Sequence, residues 1–247
     1  MKTVILIIAG VLMLPHAAAA QRGRGAGPAT PSTPRASAAV DLTGYWVSVV
    51  TEDWRYRMVM PAKGDYQGVP LTPVARKVAD SWDPAKEAAS GEPCKAYGAP
   101  GLLRVPGRLN ISWQDDTTLK LETDAGQQTR LFHFGNWKSP RGPKTLQGDS
   151  VAEWEGGGRG ATDGSMKVTT TNLKAGFLRK NGVPYGENAS VMEYYEVVAQ
   201  PDGSPMLVVT ISTTDPDNLR VPFVISSQFK KEATNAKWKP SPCSVTW

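Results

Sequence analysis

The side chain best suited to acid–base chemistry is His133, which lies between Phe132 and Phe134 in "TRLFHFGNW". An imidazole has an unperturbed pKa near neutrality, so it can serve as a general base or as a metal ligand. A general base also needs an orienting carboxylate, and Glu193 and Asp149 are candidates on other predicted strands. This set would suit isomerisation, hydration or hydrolysis of a small molecule. The alternative is a strand histidine that makes one hydrogen bond and fills space.

The same predicted strand carries a second candidate, Arg130, which would bind an anionic group. Side chains alternate between the two faces of a strand. His133 therefore shares a face with Leu131, while Arg130 shares the other with Phe132 and Phe134. Only one of the two polar side chains can face an interior, and the sequence leaves open which one does.

A long segment, "NLKAGFLRKNGVPYGEN" at residues 172–188, combines apolar and basic side chains. Phe177 precedes Arg179 and Lys180, and Tyr185 adds a ring with a hydroxyl group. Long connections in small domains often carry function. Folded over the mouth of a barrel, this segment would recognise a small amphipathic, carboxylated or lipid-like ligand. A solvated crossover is the alternative.

Other kinds of site find little support in the sequence. One histidine beyond the N-terminal segment and two distant cysteines lack the usual spacing of zinc or copper ligands, so we predict no metal and no cofactor. Ser150 lacks the Gly-x-Ser-x-Gly frame of a nucleophile elbow. The net charge is +5, but the basic residues are scattered, which argues against a nucleic-acid partner.

These side chains must be positioned by strands, because most of the chain alternates apolar and polar residues with period two. Such alternation is typical of half-buried antiparallel strands. It is clear in "WRYRMVM" (54–60), "RLNISW" (108–113), "TLKLET" (118–123) and "PFVISSQF" (222–229). The turn sequences "QDDT" and "DAGQ" predict that three successive strands from residue 108 form hairpins.

One helix is predicted near residues 73–82. Thr72 is a suitable N-cap, and Pro73 occupies the first helical position. Val74, Val78 and Ser81 or Trp82 would form its buried face. Together with nine or ten strands this predicts an all-β, mainly antiparallel domain over residues 41–247, either a barrel or a sandwich. Short turns between the central strands favour the barrel.

The ends of the chain indicate export. Residues 1–20 show the charged, apolar, small-residue order of a secretory signal, with a membrane anchor as the alternative. Residues 21–40 are rich in Gly, Pro, Ser and Ala and read as a flexible linker. No later segment is apolar enough to predict a membrane span. Cys94 and Cys243 each follow a proline, and in an exported chain they favour a disulfide over two separate thiols.

Several segments resemble a large family of exported bacterial β-rich proteins to which no activity is assigned. The resemblance rests on "CKAYGAPGLLR", "GDSVAEWEG", "GVPYGENASVMEYY" and "TISTTDPDNLRVPF", and spans about residues 70–245. It implies export to the periplasm or beyond and a β-rich domain. The chain departs from the pattern where Asp149 and Tyr185 replace histidines, so a histidine-dependent site in the family would be absent or altered here.

These observations support three functions. The first is an exported barrel that binds a small amphipathic molecule or an envelope partner, with Arg130 and residues 172–188 in recognition. The second is an enzyme of the same architecture that uses His133 with Glu193 or Asp149. The third is a structural protein of the envelope.

Overall fold

The structure is a computed structural model that describes residues 32–140, 142–156 and 164–246. Within these ranges the chain forms strands, three short α-helices and two 3-10 turns. The strands are β1 Gly44–Val49, β2 Arg108–Trp113, β3 Thr118–Thr123, β4 Thr129–Phe134, β5 Asp149–Glu155, β6 Ser165–Thr171, β7 Gly176–Arg179, β8 Val183–Tyr185, β9 Ser190–Ala199, β10 Pro205–Thr214 and β11 Phe223–Glu232. The helices are α1 Trp54–Arg57, α2 Pro73–Ser81 and α3 Pro84–Ala89, and the 3-10 turns are Lys95–Tyr97 and Leu102–Arg104.

Nine of these strands close into a barrel in the order β1-β11-β10-β9-β6-β5-β4-β3-β2. Neighbouring strands are antiparallel except for β4 and β5, which run parallel. The predicted hairpins are confirmed, because β2 pairs with β3 and β3 with β4 in antiparallel register. The all-β barrel with an accessory helix is confirmed, and the sandwich is excluded by the closure of the sheet.

The barrel interior is filled by one face of each strand. Leu109 and Ile111 of β2 and Leu119 and Leu121 of β3 are almost fully buried, as their alternation predicts. Phe229 of β11 joins the same hydrophobic cluster. Burial of these apolar side chains is the main stabilising contribution to the fold.

The strand predicted at residues 54–60 is wrong. The chain forms the short helix α1 over Trp54–Arg57, which begins after Asp53 in a left-handed conformation (φ 50°). Tyr56 and Arg57 are buried, whereas Trp54 and Met58, predicted to share a buried face, are exposed. Period-two alternation misled because Trp54 and Met58 face solvent whereas Arg57 is buried beside Tyr56.

The predicted helix at 73–82 is confirmed, and Trp82 is buried as predicted, but the prediction that Val74 and Val78 are buried is wrong. Thr72 caps α2 by accepting a hydrogen bond from the Ala75 amide at 3.2 Å. The helix buries the small Ala75 and Ala79, while Val74 and Val78 are exposed. Alanines allow the helix backbone to approach the domain closely, which the larger valines would prevent.

The segment at residues 172–188 contains two short strands. It contains β7 and β8, which form a separate antiparallel hairpin. Most of the side chains from Leu178 to Tyr185 are buried, so this segment is neither a solvated crossover nor a loose lid. It packs against the first 3-10 turn and against α2.

The hairpin belongs to the structure that covers one end of the barrel, here called the covered end. The strand termini at this end are Val49, Arg108, Thr123, Thr129, Asp149, Thr171, Ser190, Thr214 and Phe223. The Ala99 amide donates to the Leu146 carbonyl at 2.8 Å just before β5. The Gly186 amide donates to Asp215 Oδ2 at 2.7 Å just after β10. The hairpin and the 3-10 turns are therefore tied to several strand ends.

A disulfide joins Cys94 to Cys243, as predicted, and bridges a sequence separation of 149 residues. It holds the C-terminal segment beside the first 3-10 turn. The predicted signal (1–20) and most of the predicted linker (21–40) lie outside the described residues. In the remaining part, Trp154 Nε1 donates to the Pro34 carbonyl at 2.8 Å and Ala39 is buried.

Candidate functional site

His133 lies on the outer face of the barrel. Its ring stacks on Trp137 with centroids 4.1 Å apart, and Nδ1 is 3.4 Å from Thr118 Oγ1. Burial lowers the pKa of His133 below its usual value, although Asp115 and Asp149 favour its charged form. At neutral pH the ring is therefore neutral and half-buried against an indole.

The structure separates the three predicted catalytic residues. Glu193 lies inside the barrel and is fully buried, whereas His133 is on the outside of the wall. Asp149 accepts a hydrogen bond from Asn172 Nδ2 at 2.9 Å and another from the Ser139 hydroxyl. His133 and Glu193 thus do not face a common space, and the catalytic role of the three residues stays a prediction.

Arg130, and not His133, faces the barrel interior. The Arg130 guanidinium forms two parallel hydrogen bonds to Glu193, at 2.7 Å and 2.6 Å. Burial opposes its charge, but the Glu193 carboxylate outweighs burial and raises the pKa of Arg130. Thr170 accepts a further hydrogen bond from Arg130, and Tyr195 donates to Glu193 Oε1 at 3.1 Å. Arg130 Nε makes no hydrogen bond within the part of the chain that the structure describes. The remaining guanidinium hydrogen bonds go to Glu193 and Thr170, and the pair fills interior space that a ligand would need.

The four binding residues predicted from the 172–188 segment differ in their burial and in their hydrogen-bond partners. Tyr185 is buried, and burial raises the pKa of its hydroxyl group. Lys180 Nζ donates to the Tyr97 hydroxyl at 2.9 Å and to the Ser244 carbonyl at 3.0 Å, and burial lowers its pKa to about 8. Phe177 is half-buried and Arg179 is buried.

Arg179 has two neighbours that the sequence analysis did not single out, Arg57 of α1 and Arg104 of the second 3-10 turn. All three side chains are buried, and we call them the arginine cluster. Arg104 Nη1 lies 3.1 Å from Asp53 Oδ2, and Arg179 Nη2 lies 3.9 Å from the same oxygen. No sequence signal pointed to Arg57, since it falls in the stretch mistaken for a strand.

The cluster carries more positive charge than its carboxylate neutralises. Among the described residues, Asp53 is the only acidic group within 4 Å of these guanidinium groups. Burial, followed by repulsion from Arg104, lowers the pKa of Arg57 and that of Arg179 to about 10. At neutral pH all three groups stay charged, and an additional anion would relieve their repulsion.

Aromatic rings line the cluster. The Arg179 guanidinium stacks over the Tyr56 ring at 4.1 Å and lies 5.7 Å from the Phe223 ring. Arg104 lies 6.0 Å from the same Phe223 ring. Such contacts hold guanidinium groups in place while leaving their N–H edges available for hydrogen bonds.

Two small cavities of about 10 Å³ each adjoin this region. The first is lined by Tyr56, Arg104, Leu178 and Arg179. The second has apolar lining from Trp82, Phe177 and Val245, and Glu87, Glu92 and Lys95 also line it. Both also contact Lys180 and Ala96, so they are neighbours that share part of their lining. A cationic space and an apolar space are thus neighbours, although each holds only about one water molecule without side-chain movement.

A scan against models of protein families, and searches of curated proteins and of solved structures, found no significant match. Within the described ranges, no three His, Cys, Asp or Glu side chains are grouped so that they could hold a metal ion. None of the helices in the part of the chain that the structure describes is long and apolar enough to cross a membrane.

Proposed function

We propose that this protein is an exported β-barrel that binds a small amphipathic molecule through an anionic group. The observation that carries the proposal is the arginine cluster, in which three buried guanidinium groups share one carboxylate, Asp53. Desolvated positive charge without full compensation is costly to a fold. Such an arrangement is more typical of a binding site than of a structural core.

The cavity beside the cluster supports the amphipathic character of the ligand. Trp82, Phe177 and Val245 offer apolar surface in the neighbouring cavity, which shares Lys180 and Ala96 with the cavity at the cluster. A ligand with its acidic group at Arg179 and its apolar part towards Phe177 would use both kinds of surface. Small-molecule sites commonly combine apolar walls with a few charged groups that fix orientation.

Export is supported by two independent features. Disulfides persist in oxidising compartments such as the periplasm, and Cys94 and Cys243 are joined. The N-terminal residues have the pattern of a secretory signal, and the resemblance described above is to exported proteins. Both support our proposal that the protein binds its ligand outside the cytoplasm.

Native mass spectrometry of protein purified from its export compartment tests the proposal. We expect a co-purifying acidic molecule that is lost on denaturation and is absent from the Arg179→Gln variant. Arg55→Gln is the matched control, because Arg55 lies on α1 close to Arg57 of the cluster but is exposed and pairs with Asp65. Equal ligand retention by both variants, or a bare chain in every preparation together with no binding of acidic amphiphiles in titrations, would refute the proposal.

A further inference from the structure

The three guanidinium groups of the arginine cluster are each anchored at one edge. Arg57 Nε donates to the Arg104 carbonyl at 3.0 Å, and Arg179 Nη1 donates to the Gln67 carbonyl at 2.8 Å. Arg104 Nη1 is held by Asp53. Anchoring by backbone carbonyls fixes the orientation of the side chains and lowers the entropy lost on binding.

Each anchored group also presents a donor that is not used. Arg57 Nη1, Arg104 Nη2 and Arg179 Nε are buried and make no hydrogen bond within the part of the chain that the structure describes. A buried N–H group without an acceptor destabilises the fold. Three such donors on three neighbouring arginines indicate a site built for an acceptor with several oxygens.

Asp53 is the one component of the site that reaches solvent. Its side chain is 38% exposed, and its backbone adopts a left-handed conformation that a non-glycine residue rarely takes. Glu52 also favours the charged form of Arg57, but its carboxylate accepts hydrogen bonds from Ser226 and Gln228. Asp53 therefore lies between the buried guanidinium groups and the surface.

We propose that the arginine cluster binds a phosphate monoester dianion, and that its oxygens replace the Asp53 carboxylate at Arg104 and Arg179. The inference rests on the proposed function and adds the chemical class of the ligand. Without Asp53 the cluster bears three positive charges, which suit a dianion better than a monoanion. Entry is from the exposed side of Asp53.

The shape of the group favours phosphate over carboxylate. A carboxylate has two oxygens in one plane and is matched by a single guanidinium fork. A phosphate monoester presents three terminal oxygens in a pyramid, so that each can accept from a different arginine. The three unused donors belong to three separate side chains, which corresponds to the second arrangement.

The exposed surface next to the cluster offers a second apolar area, besides the one at Phe177, for a substituent on the phosphate. Trp54 and Met58 lie within three positions of Arg57 in the sequence and are 62% and 56% exposed. Large apolar side chains at such exposure are available to contact an alkyl chain. The same chemistry is found in a free alkyl phosphate and in a phosphomonoester lipid headgroup.

Calorimetric titration of Asp53→Asn with hexyl phosphate is the decisive experiment. Loss of the competing carboxylate should tighten binding at least about tenfold relative to the unaltered protein. The Arg179 Nε–H resonance should shift on titration in a ¹⁵N NMR spectrum. Arg55→Gln should leave the affinity unchanged, while Arg104→Lys, which keeps the charge but removes the fork, should weaken it at least about tenfold.

Unchanged or weaker hexyl phosphate binding by Asp53→Asn overturns the inference. If hexanoate binds at the cluster and hexyl phosphate does not, the inference is also overturned, but the proposed function stands. Failure of both anions to bind, with a bare protein in native mass spectrometry, removes both proposals. The titration also distinguishes a free ligand from a membrane lipid. Tighter binding of hexyl phosphate than of inorganic phosphate supports a free amphiphile. Binding only to vesicles that contain phosphatidic acid supports a lipid headgroup.

Discussion

At the scale of single residues, the Arg130–Glu193 pair shows how a charge is accommodated inside the barrel. Both side chains are fully buried, and their two short hydrogen bonds are supplemented by Thr170 and Tyr195. A buried ion pair is tolerated when its geometry is good and its other polar atoms are hydrogen-bonded. Ser150 extends the network through Thr170 at 2.8 Å.

Removing one member of the pair should be far more harmful than removing both. Arg130→Met leaves the Glu193 carboxylate buried without its cation, so we expect the free energy of unfolding to fall by about 3–5 kcal/mol. The double variant Arg130→Met/Glu193→Leu should recover most of that loss, since no charge then remains buried. Urea denaturation of the three proteins measures both effects, and a double variant as unstable as the single one would contradict this account.

At the scale of elements, the β7–β8 hairpin depends on close packing at its turn. Gly182 has φ +79°, and a Cβ atom there would collide with the Trp82 ring that follows α2. Trp82 is itself buried. The turn therefore places Lys180 and Arg179 at fixed positions by packing against α2.

Gly182→Ala should destabilise the protein more than a glycine substitution that adds backbone strain alone. Gly64 is the matched control, because it has φ +87° and open space around its α-carbon. We expect Gly64→Ala to cost about 1–2 kcal/mol from the left-handed conformation. Gly182→Ala should lower the free energy of unfolding by a further ~1–3 kcal/mol, because the added methyl group overpacks against Trp82. Equal losses for the two variants, measured by thermal unfolding, would show that the contact with Trp82 is not close.

At the scale of the whole molecule, the disulfide joins two parts of the chain that are far apart in the sequence. Cys94 and Cys243 join the first 3-10 turn to the C-terminal segment across 149 positions. The same C-terminal segment is held by Lys180, which donates to the Ser244 and Thr246 carbonyls. The wall of the apolar cavity at Val245 therefore depends on a link between distant parts of the chain.

Loss of this link should lower stability and weaken the site together. In the chain-entropy model the double variant Cys94→Ala/Cys243→Ala loses up to about 4–5 kcal/mol of unfolding free energy. We also expect increased hydrogen exchange in residues 241–246, because their anchor is gone. Urea denaturation with and without reductant checks the first effect: reductant should destabilise only the unaltered protein. Similar stability of the oxidised protein and the double variant would contradict the expectation.

The sequence by itself determined the class of fold, because alternation in strands such as β2 and β3 is a local property of the chain. It also determined the α2 cap, because Thr72 is a residue type that caps helices. It determined the disulfide as well, because the chain has only two cysteines. It did not determine which face of β4 is inside, since Arg130 and His133 each interrupt an otherwise apolar alternation. Barrel closure and strand register decided that question in favour of Arg130.

The arginine cluster was decided only by the tertiary structure. Arg57, Arg104 and Arg179 come from a helix, a 3-10 turn and a hairpin strand that are far apart in the sequence. Their positive charges meet because the connections at the covered end of the barrel fold over the strand ends. Local patterns indicate that arginines are exposed, since a charge is costly to bury. Only the tertiary structure reveals that these three are buried together with one carboxylate, and that is the physical basis of the binding site that we propose.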